Sequence, residues 1–332
     1  MRNQHLDGRM NKAILPFCAA VLLSLALTGC PMQPSFKSST ITPIYAATNS
    51  GLYVYNGSTW TLYTAANGLG SNTVNSVVVS GSGAGASVYV GTSLGVSYTN
   101  DLSSWTDWTS TSSGLGSAPV NKLFLGSSLL AATSGGISTY ELDSSSVQWT
   151  NDSSFSSVTT LYQYGTYSYI VGTKSSTTGL YIYNNTTQEA PPYTPGNILT
   201  GSTSIQSILV DSSLDVLAGT NVGLAVLYAG ASSFTPVLGS SADPYSVNGL
   251  FMDSNGYIYA ATGSGLYKIG SSSATELATG AFTCVYVDGS GTIYAGTSSG
   301  LGIYSSSGTP QSTPITGTTV KQVMTTAPLY SF

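Results

Sequence analysis

One short phrase recurs seven times along the chain: a β-prone run, then Ala or Gly, Thr, a short gap, Gly and an apolar residue. It reads Ala47-Thr48 to Gly51-Leu52, Gly91-Thr92 to Gly95-Val96, Ala132-Thr133 to Gly136-Ile137 and Gly172-Thr173 to Gly179-Leu180. The remaining copies are Gly219-Thr220 to Gly223-Leu224, Ala261-Thr262 to Gly265-Leu266 and Gly296-Thr297 to Gly300-Leu301. In the fourth copy three extra residues lengthen the expected turn. A fixed period decides a fold before local propensity does, because each unit must bury its apolar face against its neighbours. Intervals of 35 to 47 residues match one four-stranded propeller blade.

Each copy reads as a hairpin. In the first, Ile44 to Thr48 is one strand, Asn49 to Gly51 the turn and Leu52 to Tyr55 the next strand. Alternation puts Leu52 and Val54 on one face and Tyr53 and Tyr55 on the other. An outer strand with a bulky aromatic follows in Trp60-Thr61-Leu62-Tyr63 and in Trp105-Thr106-Asp107-Trp108.

A second phrase marks the innermost strands, starting at Val74, Val120, Val158, Ile205, Val247, Phe282 and Val320. Another apolar residue follows three positions later, at Val77, Leu123, Leu161, Ile208, Leu250, Val285 and Val323. The first hairpin phrase, at Ile44, has no such strand before it, and the last such strand, at Val320, has no hairpin after it. The two leftovers complement each other. The sequence therefore predicts an all-β, seven-bladed β-propeller over residues 44–332, closed by a C-terminal strand that completes the first blade. Closure would hide sheet edges that otherwise invite aggregation.

The segment Trp60-Thr61-Leu62-Tyr63 through Gly68-Leu69, Asn72 and Val74 to Val77 resembles the two-component regulator propeller repeat. Ile293-Tyr294-Ala295-Gly296-Thr297 to Gly300-Leu301 fits the same family. The resemblance covers residues 44 to 325, and it is concentrated in two or three blades. It implies a propeller of the kind found in extracytoplasmic sensor domains of hybrid histidine kinases, often associated with glycan sensing. The 332 residues contain no kinase, receiver or transmembrane segment. The family's signalling is therefore not carried over, and glycan binding enters as an expectation only.

Ahead of the repeats, Arg2, Arg9 and Lys12 form a basic start and Ala13 to Leu27 an apolar run. That run has the length of a signal-peptide core and falls short of the roughly 20 residues of a membrane span. Met10-Asn11-Lys12 with the same run is also a complete start, so Met10 is an alternative initiator. Leu27-Thr28-Gly29-Cys30 resembles the lipobox cut by the lipoprotein signal peptidase, which implies a signal peptide over residues 1–29 and acylation of Cys30. Multiple acyl chains give the stable membrane anchoring that one chain does not. Residues 30–43, with Pro31, Pro34, Pro43 and a Ser/Thr cluster, read as the lipidated Cys and a flexible tether. Pro31 stands where many inner-membrane lipoproteins carry Asp, so by analogy the expected location is the bacterial cell envelope at the outer membrane, on either face.

Processing at Cys30 would remove His5, both arginines and Cys18. Five lysines against twelve acidic residues then leave a formal charge of −7. A nucleic-acid binder needs clustered Lys or Arg to neutralise phosphates, and this chain cannot supply them. An acylated Cys30 leaves Cys284 without a disulfide partner, so Cys284 reads as a small buried hydrophobe. General acid/base chemistry, triads and metal sites draw heavily on His, which is absent after processing. Propeller sialidases need an arginine cluster and virginiamycin-lyase-like propellers need His. A carboxylate pair can cleave glycosides, and Asp101 with Asp107, or Glu141 with Asp143, are the nearest pairs. All four read as turn or outer-strand residues. The expectation is a monomeric propeller that is not an enzyme and has no cofactor or metal.

Asp211, Asp253 and Asp288 follow innermost strands in hairpin-turn contexts. Thr99 to Trp105 resembles a degenerate Asp-box turn of sialidase-like propellers. The residue after each innermost-strand start is polar: Asn75, Asn121, Thr159, Gln206, Asn248, Thr283 and Lys321. Sevenfold repetition would set these seven as a ring at one mouth of the central channel. There they could bind a neutral polar ligand such as a glycan, or simply solvate the channel and bond neighbouring blades. Tyr-rich loops with Ser and Gly suit adaptable recognition, although Tyr53, Tyr55, Tyr181 and Tyr183 equally suit blade packing. The expected role is an envelope binding lipoprotein, with a scaffold for envelope proteins as the alternative and a carboxylate-based glycan-active enzyme as a minor one.

Overall fold

The computed structural model describes residues 42–81, 85–142, 148–239, 245–270 and 273–325. Cys30, the tether to residue 41 and Asp143 lie outside the described residues. The strands form seven four-stranded antiparallel sheets, the blades of a β-propeller. In blade 1 the order from the centre outward is Val320–Thr325, Ile44–Thr48, Gly51–Tyr55 and Trp60–Tyr63. The ring therefore closes as the two complementary leftovers predict. The innermost strands of blades 2 to 7 are Val74–Ser80, Val120–Leu125, Ser157–Tyr164, Ile205–Val210, Val247–Met252 and Cys284–Val287.

The repeated phrase is the chemistry of the hairpin between the second and third strands. In six blades the Thr hydroxyl donates to the carbonyl of the phrase's Gly, as in Thr48 to Gly51 at 2.7 Å and Thr92 to Gly95 at 3.0 Å. The Gly is required for two reasons. Gly51 and Gly300 have φ of +138° and +156°, and a Cβ would stand 2.2 Å from the Tyr63 carbonyl oxygen and 2.0 Å from that of Ile315. The outermost strand closes directly onto this spot. The Ala-or-Gly position has a different cause, the neighbouring blade. A Cβ on Gly91 would lie 2.8 Å from the Val120 side chain of blade 3, and one on Gly219 2.7 Å from the Val247 carbonyl of blade 6.

The fourth copy departs from the expected longer turn. Lys174 pairs with Thr177, so the turn is only Ser175-Ser176, with φ of +48° and +66°. The extra residues lengthen the strands, Tyr167–Lys174 and Thr177–Asn184. Two successive left-handed residues suit the right-handed strand twist of a tight hairpin. The innermost strand of blade 7 begins at Cys284 rather than Phe282, because its ladder with the second strand starts at the Cys284–Gly296 pair.

The core lies between blades. Leu52 and Val54 pack with Leu69, Val74 and Val88 toward blade 2, while Tyr53 and Tyr55 pack against the closure cluster of Ile44, Ala46, Tyr286, Tyr294 and Val320. Both faces of each sheet are thus buried, as an alternating apolar strand in a closed ring requires. The Trp108, Tyr140 and Trp149 rings form an aromatic wedge between blades 2 and 3, with Trp108 and Tyr140 centroids 4.8 Å apart. No helix among the described residues is long and apolar enough to cross a membrane.

Candidate functional site

All seven ring residues line one central cavity of about 1140 Å³. The backbone explains how. In blades 1 to 6 the strand register shifts at the ring residue, for example between Val74 and Ser76 around Asn75, and between Val120 and Lys122 around Asn121. In blade 7 the Thr283 N–H donates to the Gly296 carbonyl, although Gly296 pairs with Cys284. Each ring residue is therefore the extra residue of a β-bulge, a device that re-aims a side chain away from the regular alternation. Here it turns one polar side chain per blade toward the axis.

Most of these side chains also tie blades together. The Asn75, Asn121 and Asn248 amides donate to the Val120, Val158 and Phe282 carbonyls of the next blade at 2.8, 2.7 and 2.7 Å. Thr283 donates to the Val320 carbonyl, and Lys321 donates to the Asn75 side-chain oxygen at 2.7 Å. Gln206 accepts from Ser246 of blade 6 at 2.8 Å, while Thr159 bonds Val171 within its own blade at 3.2 Å. Six of the seven thus engage a neighbouring blade through at least one polar atom.

Along the axis the cavity changes character. Beyond the ring come Ser76, Lys122, Thr160, Ser207, Gly249, Cys284 and Gln322, the next residues of the same strands. Gln322 spans the closure: its oxygen accepts from the Ser76 hydroxyl at 2.8 Å and the Val77 N–H at 3.1 Å, and its amide donates to the Val77 carbonyl at 3.1 Å. Toward the strand ends the lining turns aromatic, with Phe124, Tyr162, Tyr164, Phe251 and Tyr286. Phe124 meets Tyr162 and Phe251 meets Tyr286 edge-on, at centroid distances of 5.2 and 4.9 Å. The site has a polar mouth and an aromatic mouth.

Sequence reasoning missed Lys122. The residue as a whole is half-buried, and burial of its amine holds the pKa below the usual lysine value. The amine is within electrostatic reach of Cys284 in blade 7, across the axis from blade 3. Lys321 is also held below the usual value by burial. Cys284 is buried, its thiol pushed up to about 11 chiefly by desolvation. The signal for Lys122 was its place one residue past Asn121 in Val120-Asn121-Lys122-Leu123.

The described acidic residues that the sequence singles out serve turns or cross-strand bonds. Asp211, Asp253 and Asp288 accept backbone N–H groups two and four residues on, at 2.8 to 3.0 Å. Asp101 accepts from the Ser103 and Ser104 N–H groups, which hold its carboxyl well below the usual range. Asp107 accepts from Ser97 at 2.6 Å and Glu141 from Ser128 at 2.7 Å. None of these carboxylates lines the central cavity. Among the described residues no three His, Cys, Asp or Glu side chains group as metal ligands. Tyr55 stacks on Trp60 at 5.2 Å and Tyr181 meets Phe155 edge-on at 5.0 Å, so these tyrosines pack blades.

No family model and no curated protein matches the chain. Solved structures do match in fold. The extracellular domain of a protein described as the hybrid two-component system BT4673 of B. thetaiotaomicron aligns at 17% identity and a TM-score of 0.55, over 70% of this chain and 31% of that one. PorZ, a surface component of the type-IX secretion system of Porphyromonas gingivalis, aligns at 16% identity and a TM-score of 0.58, over 82% and 50% of the two chains. YCF48 bound to D1 peptide aligns at 15% identity and a TM-score of 0.57, over 85% and 89%. The chain spans about a third of the first of these and half of the second. At such identities the likeness is one of fold, the seven-bladed propeller.

Proposed function

We propose that this chain is a non-catalytic binding protein of the bacterial cell envelope, anchored through Cys30, whose central cavity takes a polar ligand of the glycan class. The observation that carries the reading is the cavity: about 1140 Å³, with a bulge-directed polar ring at one mouth and aromatic side chains at the other. Amide and hydroxyl groups beside aromatic faces match the hydroxylated edges and apolar faces of a sugar, and the volume is on the scale of ordinary ligand sites. No Asp or Glu among the described residues lines the cavity, which supports a binding role over a hydrolytic one. The exposed large apolar residues Leu62, Leu94, Tyr228, Val237 and Tyr257 are spread over blades 1, 2, 5 and 6. A scaffold would instead call for a contiguous patch.

The test uses the full chain in mild detergent on an array of microbial and host glycans, beside the variant Thr160→Trp. Thr160 lines the cavity, so an indole there fills it. Saturable binding by the parent and its loss in a variant of unchanged melting temperature is the expected result. Equal binding by both would move the ligand to another surface, and binding by neither would favour a protein-scaffold role. The anchor has its own check: metabolic labelling with an alkyne fatty acid should mark the parent and leave Cys30→Ser unlabelled in the soluble fraction.

A further inference from the structure

Two of the chain's few basic side chains, Lys122 and Lys321, line the central cavity, while no Asp or Glu among the described residues does. This is unusual placement for a chain whose formal net charge is −5. Lys321 is fixed: its ammonium donates to the Asn75 oxygen, and the Asn75 amide is in turn held by the Val120 carbonyl. One of its three N–H bonds is used there. Lys122 stands one residue deeper, surrounded by neutral side chains, and electrostatically closest to a thiol that remains protonated. A lysine held in such a place costs free energy unless a counter-charge joins it. Nothing in the described lining provides one, and a neutral ligand would leave the cation as it is.

The acids near the axis reinforce the asymmetry. Asp211, Asp253 and Asp288 follow the innermost strands of blades 5 to 7, at the end away from the polar ring. Negative charge is thus placed around the aromatic mouth and positive charge inside the polar one. A cavity with one sign of charge and low-dielectric walls concentrates ligands of the opposite sign.

We propose that the central cavity selects an oxyanion-bearing ligand, an acidic oligosaccharide whose carboxylate is bound by Lys122 after entry through the polar mouth beside Lys321. This rests on the glycan reading above and narrows it to acidic sugars. Thr160, Ser207 and Gln322, at the depth of Lys122, line the cavity and supply polar groups for the adjoining hydroxyls.

The experiment is isothermal titration of the full chain with digalacturonate and with its carboxyl-reduced counterpart, digalactose, then with inorganic phosphate. Each is repeated with Lys122→Met and Lys122→Arg. The expected result is digalacturonate binding that exceeds digalactose by at least tenfold and weakens with added salt. Lys122→Met should abolish the preference, with a melting temperature equal to or above the parent's, and Lys122→Arg should keep most of it. Equal binding of both sugars, unmoved by Lys122→Met, overturns the charge inference and leaves the glycan reading standing. Phosphate binding that Lys122→Met removes, with neither sugar bound, upholds the oxyanion site and overturns its glycan ligand. No heat from any probe, from protein shown to be folded, overturns both.

Discussion

The Gly of each hairpin phrase and the Thr three or more residues before it do separate jobs, and substitution should separate them. Gly51→Ala places a Cβ 2.2 Å from a backbone oxygen at φ +138°. It should destabilise blade 1 on the order of 3 kcal/mol, read as a shift in the denaturant midpoint. Thr92→Val loses a hydroxyl that donates to the Gly95 carbonyl and accepts the Leu94 N–H, while the Thr92 N–H still serves that carbonyl, and should cost about 1 kcal/mol. Titration offers a second test at this scale. Burial pushes Cys284 up to about 11 and Tyr169 and Tyr259 up to about 12. Groups whose folded pKa is raised lend stability that is full below their unfolded values and lost as pH climbs through the folded ones. Lys122 and Lys321 are shifted downward and work the opposite way, with their effect complete by the ordinary lysine value of 10.5. Stability measured by urea unfolding should therefore fall from pH 10.5 to 12. Peptide mass spectrometry should find Cys284 unalkylated by iodoacetamide at pH 8 in the native protein and alkylated in urea. Which residues repeat was legible from the sequence. Why each repeats was not, because the reasons are contacts with an outer strand and with the next blade.

At the scale of strands and turns, the bulge is the element the sequence conceals. Asn75 or Asn121 reads as an ordinary alternating residue until its partner strand is aligned, since a register shift exists only between two strands. The same blindness made the fourth hairpin look like a long turn, when Ser175-Ser176 closes it in two residues and the strands take up the difference. Alternation in the first hairpin, by contrast, was read correctly: Leu52 and Val54 face one neighbour, Tyr53 and Tyr55 the other. Gln322 gives the sharpest test of an element. Its amide satisfies both backbone groups of Val77 on the innermost strand of blade 2. Gln322→Leu keeps the volume and removes all three bonds, and it should cost about 1–3 kcal/mol in thermal or chemical unfolding. A smaller loss would mean that water replaces the amide.

For the whole molecule, the seven-blade count and the manner of closure followed from the two unmatched ends of the repeat, which needed no knowledge of side-chain contacts. The location of the polar ring at the axis followed too. Its role did not, because the sequence left open whether these groups face a ligand or a neighbouring blade. The geometry assigns much of their bonding to neighbours. Asn121 and Asn248 sit at different blade interfaces, so Asn121→Ala and Asn248→Ala should each cost about 1 kcal/mol and add in the double variant. Scanning calorimetry of the four proteins checks both statements. Lys122 escaped notice because the residue after the ring varies in type from blade to blade, among Ser, Lys, Thr, Gly, Cys and Gln.

Blade 1 draws its innermost strand from residues 320–325 and the other three from residues 44–63. On the ribosome, that blade's first three strands emerge early and must wait for nearly the whole domain before their partner appears. Six blades can stack meanwhile, but no translation product that stops before Val320 can join its ends. Such a product would leave the inner edge of Ile44–Thr48 without its partner strand. The seam therefore makes closure of the ring conditional on the strand Val320–Thr325, however well the other six blades have formed.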